Sequence, residues 1–144
     1  MTELDNDAKI ETLALRALGA TLPRPEWTHA AHFALALWVL RHKPAQGAPE
    51  AFREIILRLN AFHGTPNTDS EGYHHTITIA SLGAARHVLD RHGLEEPLER
   101  VLAALMDSEY GRSDWLLAYW SRELLFSVEA RRGWLPPDLA ILPF

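Results

Sequence analysis

Trp27-Thr28-His29-Ala30-Ala31-His32-Phe33-Ala34-Leu35-Ala36-Leu37-Trp38-Val39-Leu40 decides the fold. Thr28 is a helix cap, because a threonine hydroxyl can accept from a first-turn N–H that has no partner inside the helix. From His32 to Leu40 the helix is apolar on nearly every side. A helix without a polar face belongs in the middle of a protein. Outward from it the chain reads as all-α: a single up-and-down helical bundle of five to six main helices with an extended C-terminal strap.

The first helix is expected over about Asp5 to Leu18, where Ile10, Leu13, Ala14 and Ala17 recur at helical spacing. Pro23 and Pro25 then impose an extended connection. The second helix ends near His42-Lys43, before Pro44. A third runs from about Pro49 to Phe62, with Phe52, Ile55, Ile56 and Leu59 as its apolar stripe. Gly64 and Pro66 stop it. Thr68, Asp69 and Ser70 can each cap a fourth helix, Thr68-x-x-Glu71 fits a capping box, and the helix continues to about Arg91. A fifth covers about Glu96 to Asp107. Ser113 and Asp114 cap a sixth, which carries Trp115, Leu116, Tyr119, Trp120, Leu124 and Phe126, breaks at Ser127 and resumes to Arg132. Leu139, Ile141, Leu142 and Phe144 fasten the strap onto the bundle. No segment alternates with a period of two for long enough to be a strand.

At 144 residues the chain is one domain, 1–144, large enough to bury a real core. Fourteen basic and 19 acidic residues leave a net charge of −5, which argues against nucleic acid as a partner. There is no cysteine, so disulfides, thiolate nucleophiles and sulfur-ligated metals are excluded. The start, Met1 to Asp7, is acidic and lacks the apolar core of a signal peptide. The longest apolar run, Ala30 to Leu40, is too short to span a bilayer. The expectation is a cytoplasmic protein with a small-molecule ligand and no membrane partner; the oligomeric state stays open.

The polar groups gather around a second stretch, Glu71-Gly72-Tyr73-His74-His75-Thr76-Ile77-Thr78. Short connections make successive helices antiparallel. That topology brings His29, His32, His63, His74 and His75, five of the eight histidines, to one end of the bundle. Asp69, Glu71, Asp107, Glu109 and Asp114 lie on the turns there. His29 and His32 are three apart and share a helix face. Such a pair can aim two ring nitrogens at one ion, at about 2.0–2.1 Å each for zinc. His74, preferred over His75 as the inward-facing ring, is the expected third ligand. With cysteine absent, imidazole and oxygen donors suit a divalent metal such as zinc, iron or manganese. Thr78 and Ser81 continue a polar stripe inward from His74 and, with Tyr73, are candidates for ligand binding. His42, His63 and His92 sit near helix C-termini, where the dipole favours positive charge, and that suffices to account for them.

The segments Trp27-Thr28-His29-x-x-His32, Gly72-Tyr73-His74-x-Thr76-Ile77-Thr78 and Glu123-Leu124-Leu125-Phe126-Ser127 together resemble a family of small bacterial all-helical proteins. The resemblance spans about Glu26 to Asp138. That family has no established activity, so the resemblance supplies positions rather than a reaction. Its members often carry glutamate after the middle histidine, where this chain has His75.

Two readings of function follow. In the first, a metal on His29, His32 and His74 lowers the pKa of a bound water and delivers hydroxide to a small substrate, a hydrolase-type reaction with Glu71 or Asp114 relaying the proton. In the second, the histidines and tyrosines line a polar pocket of a non-catalytic ligand-binding or interaction module at the helix N-termini. No nucleophile-elbow serine or phosphate-binding glycine loop offers a third route.

Overall fold

A computed structural model describes residues 4–144; the Met1-Thr2-Glu3 start of the acidic segment lies outside them. Among the described residues there are seven α-helices and no strand: α1 Asp7–Leu18, α2 His29–His42, α3 Pro49–His63, α4 His75–His92, α5 Leu98–Asp107, α6 Arg122–Leu125 and α7 Val128–Arg132. No helix among them is long and apolar enough to cross a membrane.

The expected centre is the observed one. Thr28 caps α2 through its hydroxyl, which accepts from the Ala31 N–H at 3.2 Å. Every residue from Phe33 to Leu40 is buried, and α2 packs against α1, α4 and α5. Leu35, Leu37 and Val39 are wholly sequestered on a helix that leaves no face to water. The pattern requires neighbours all round, and the amphipathic stripes of α1, α3 and α5 join it in one core with Ile10, Leu13, Ile55, Leu59, Val101 and Leu105.

Helix α4 begins at His75, not near Glu71, and the capping box does not form. Thr68 instead closes a turn: its N–H donates to the Glu71 carbonyl at 2.9 Å, and its hydroxyl accepts from the Ser70 N–H at 3.3 Å. Gly72 is the reason. It lies at φ +82°, and a Cβ there would stand 2.3 Å from the Pro66 carbonyl oxygen. A left-handed residue pressed against a neighbouring backbone ends any helix attempted from Thr68.

The sixth helix also differs from expectation. In its place stand a 3-10 turn over Trp115–Ala118, then α6, then α7. The break at Ser127 is as expected, its hydroxyl capping α7 by accepting from the Ala130 N–H at 3.1 Å. A second break at Ser121 is not. Ser121 caps α6 through the Leu124 N–H, while its own N–H and hydroxyl both donate to the Asp138 carboxylate at 2.7 Å. Asp138 is seventeen residues away, so nothing local announces the interruption.

The strap beyond α7 is held by hydrogen bonds more than by apolar burial. Thr76 donates its hydroxyl to the Gly133 carbonyl at 2.8 Å and accepts the Leu135 N–H at 3.1 Å. The indole of Trp120 donates to the Leu135 carbonyl at 2.9 Å, and the Leu139 N–H to the Tyr119 carbonyl at 2.9 Å. Phe144 lies against Gly83 of α4. Leu139 and Ile141, expected as fasteners, are instead 59% and 93% exposed.

Candidate functional site

The histidines are distributed by backbone carbonyls. A carbonyl can only accept, so each such bond fixes which ring nitrogen carries the proton. His29 donates from Nε2 to the Tyr110 carbonyl at 2.8 Å, His63 from Nε2 to the Leu22 carbonyl at 2.8 Å, and His74 from Nε2 to the Leu125 carbonyl at 2.7 Å. Each of these joins a helix end to a carbonyl far away in sequence, Tyr110 in a 3-10 turn, Leu22 in a connection and Leu125 at the end of the single-turn α6. The acceptors belong to stretches whose carbonyls no regular ladder satisfies, and a buried carbonyl must find a donor somewhere.

His74 is fully spent by this role. It is the N-cap of α4, its Nδ1 accepting from the Ile77 N–H at 3.2 Å while Nε2–H holds Leu125. Neither ring nitrogen is left to ligate a metal. Burial pushes its pKa below the usual histidine value, the Leu125 bond opposes this, and the nearby Arg131 charge lowers it further. The expected set of His29, His32 and His74 is therefore not assembled, and among the described residues no group of three histidine, aspartate or glutamate side chains is arranged to hold a metal ion. His75 does not replace His74. Its Nδ1 pairs with the Tyr73 hydroxyl at 2.8 Å on the other side of α4's start.

Glu71 and Asp114, the expected proton relays, are exposed on turns. The Asp114 carboxylate pairs with Arg112 at 3.4 Å, and neither acid lines a cavity with the histidines. Their placement follows from the two helix starts that did not form where expected, at Glu71 and at Asp114.

His29, His32, Thr78 and Ser81 do come together. They line a cavity of about 310 Å³ between α2, α3, α4 and the Trp115 turn, with Ser113 at its rim. Phe33, Phe52, Ile56, Leu82 and Trp115 give it an apolar interior. Thr78 reaches back to the His74 carbonyl at 2.8 Å, which uses its proton and leaves its oxygen as an acceptor. The Trp115 indole N–H is buried without an acceptor. A second hollow of about 310 Å³ shares the walls made by His32, Ile56, Ile77 and Thr78, and adds Asn60, Tyr73 and Arg131. Tyr73, expected as a ligand contact, lies there rather than in the first cavity.

His32 stands at the junction. Its Nδ1–H donates to the Thr28 carbonyl at 2.7 Å, which leaves the Nε2 lone pair without a partner among the described residues. Its ring stacks on Trp27 at 3.7 Å between centroids. Desolvation by the surrounding protein pushes its pKa down to about 4, against the Thr28 bond and with His29 adding to the effect, yet the residue keeps exposed surface. The two facts agree because the ring walls a concave space instead of lying in the packed core. His32 is thus a neutral imidazole at pH 7 that presents an acceptor.

A wider groove of about 780 Å³ runs between α1 and the start of α2. It is more open, and the charges along it are already paired, Arg16 with Glu26 at 3.2 Å and Lys9 with Asp5 at 2.9 Å. It offers shape without an unmet polar group. Spacing in the sequence points to His29, His32, Thr78 and Ser81. It misses Ser113, Phe52, Trp115 and Arg131 as site residues, because only the packing of α3, of α7 and of the Ser113–Trp115 turn around α2 and α4 brings them in. No protein-family model, curated protein or solved structure matches the chain.

Proposed function

We propose that this chain binds a small organic ligand in the cavity walled by His29, His32, Thr78 and Ser81, and that it does so without catalysing a reaction. The observation that carries the reading is His32: a ring held neutral by desolvation and oriented by the Thr28 carbonyl, with an unused acceptor, on the wall of a largely apolar cavity. Ligand sites are mostly apolar concavities of about 300–1,000 Å³ with a few placed polar groups. The cavity has that size and that lining. Its polar atoms suit a ligand with an apolar body and an N–H or O–H that donates to His32.

Binding is favoured over catalysis by the same ring. A general base works best when its pKa lies near the working pH, and a value of about 4 makes His32 a feeble one at neutrality. No carboxylate stands on the cavity wall to serve in its place.

The test is calorimetric titration with 2-naphthol, which has an aromatic body and one hydroxyl donor. The wild-type protein should bind it. Ser81→Trp, which fills the cavity, should abolish binding. His32→Phe should weaken it about three- to tenfold, the worth of one neutral hydrogen bond. Unchanged binding by folded Ser81→Trp protein would mean that the ligand sits elsewhere.

A further inference from the structure

The second hollow carries a cation that the fold does not use up. Arg131, on α7, donates from Nη1 to the Gly72 carbonyl at 3.0 Å and to the Tyr73 carbonyl at 3.3 Å. A guanidinium has five N–H donors, so its Nε–H and Nη2–H side remains. Among the described residues that side has no acceptor, Arg131 forms no ion pair, and these nitrogens are not among the atoms sealed from solvent. The adjacent residue shows what the free side can do: Arg132 donates from Nε and Nη2 to both oxygens of Asp69 at 2.8 Å each.

The charge around this fork is lopsided. The chain carries −5 overall. Yet the hollow just outside Tyr73 is lined by Arg53, Arg131 and Arg132, with Asp69 as its one carboxylate, and Asp69 is taken by Arg132. A local positive patch on an acidic protein draws anions to one place and repels them elsewhere. On the inner side, Arg131 lines the hollow that shares His32 and Thr78 with the apolar cavity.

We propose that the ligand of this site is a monocarboxylate with an apolar body: its carboxylate takes the free Nε–Nη2 side of Arg131, and its body passes His32 and Thr78 into the cavity between Phe33, Phe52 and Trp115. This rests on the ligand-binding reading above and adds the class of ligand. The arrangement gives each part of such a molecule its match. A planar fork pairs a carboxylate through two parallel bonds. The aromatic walls take the apolar end. Either His32 or Thr78 can accept a hydroxyl or amide proton between them.

Calorimetric titration of the full chain with 4-phenylbutyrate and with 4-phenylbutyramide tests it, since the two differ only in the charged group. The acid should bind about 10- to 100-fold tighter, as expected for a hydrogen bond to a charged partner. Raising ionic strength should weaken the acid and leave the amide unchanged. Arg131→Lys, which keeps charge without the fork, should remove most of the preference, and Arg131→Gln all of it, with amide affinity retained. Because Nη1 also ties down the turn at Gly72, the salt series on wild-type protein decides the matter should those variants be unstable. Equal, salt-independent binding of acid and amide, lost in Ser81→Trp, would overturn the carboxylate proposal and leave the cavity reading standing. Binding of neither probe would overturn both.

Discussion

Replacing His74 by alanine should cost the protein about 2–4 kcal/mol of stability, from the loss of a helix cap and of a buried hydrogen bond. The cap of α4 disappears, since Nδ1 no longer accepts the Ile77 N–H; a lost cap is worth about 1 kcal/mol. The Leu125 carbonyl, on a residue only 2% exposed, loses the donor that stood 2.7 Å away. An unsatisfied buried acceptor costs about 1–3 kcal/mol. Urea denaturation at pH 7.5, comparing midpoint and slope with the wild type, reads the sum. His75→Ala is the control. It gives up only the partly exposed bond with Tyr73 and should cost about 1 kcal/mol or less. The dependence on pH has a definite sign. The folded-state pKa of His74 is depressed, so the stabilisation is complete above the unfolded value near 6.5 and is lost as pH falls below it. His74→Ala should therefore also flatten the acid limb of the stability profile. A loss below about 0.5 kcal/mol, the level of a surface change, would refute the reasoning. So would a His74→Ala protein as stable as wild type that had lost affinity for zinc, because that would make the ring a ligand and not a staple.

Leu37 has no exposed surface, so Leu37→Ala should destabilise by about 2–5 kcal/mol in the same urea assay; a change near zero would remove α2 from the centre. For His32, the Cε1–H resonance followed by NMR should titrate near 4, and its shift should vanish from the spectrum of His32→Gln; titration near 6.5 would show a ring in open water. Since that pKa too is depressed, stability linked to His32 is present above about pH 6.5 and declines towards pH 4.

The all-α class, the central place of α2 and most helix ends were legible in the sequence because they depend on local matters. An apolar run without a polar face, the Thr28 cap and Pro44 act within a few residues of themselves, whereas the connection expected to be extended at Pro23 and Pro25 holds a 3-10 turn over Arg24–Glu26, since proline is tolerated in a first turn. The pairing of His29 with His32, and of Thr78 with Ser81, was legible for the same reason, since helical spacing places each pair on one face of its own helix; that α2 and α4 bring the two pairs to one cavity is a matter of their packing.

What each histidine is for was not legible. His74 and His32 look alike as sequence, each near a helix start beside an aromatic residue. The first is buried with both nitrogens bonded, and the second is left with one open, because Leu125 comes to His74 from fifty-one residues away and nothing among the described residues comes to His32. Gly72 and Asp138 decided in the same manner where α4 and α6 could begin, one through the Pro66 carbonyl and one through Ser121. A backbone carbonyl exists at every position and leaves no mark in the amino-acid sequence. Which carbonyl needs a donor, and which ring is near enough to give it one, is fixed only when distant segments have packed.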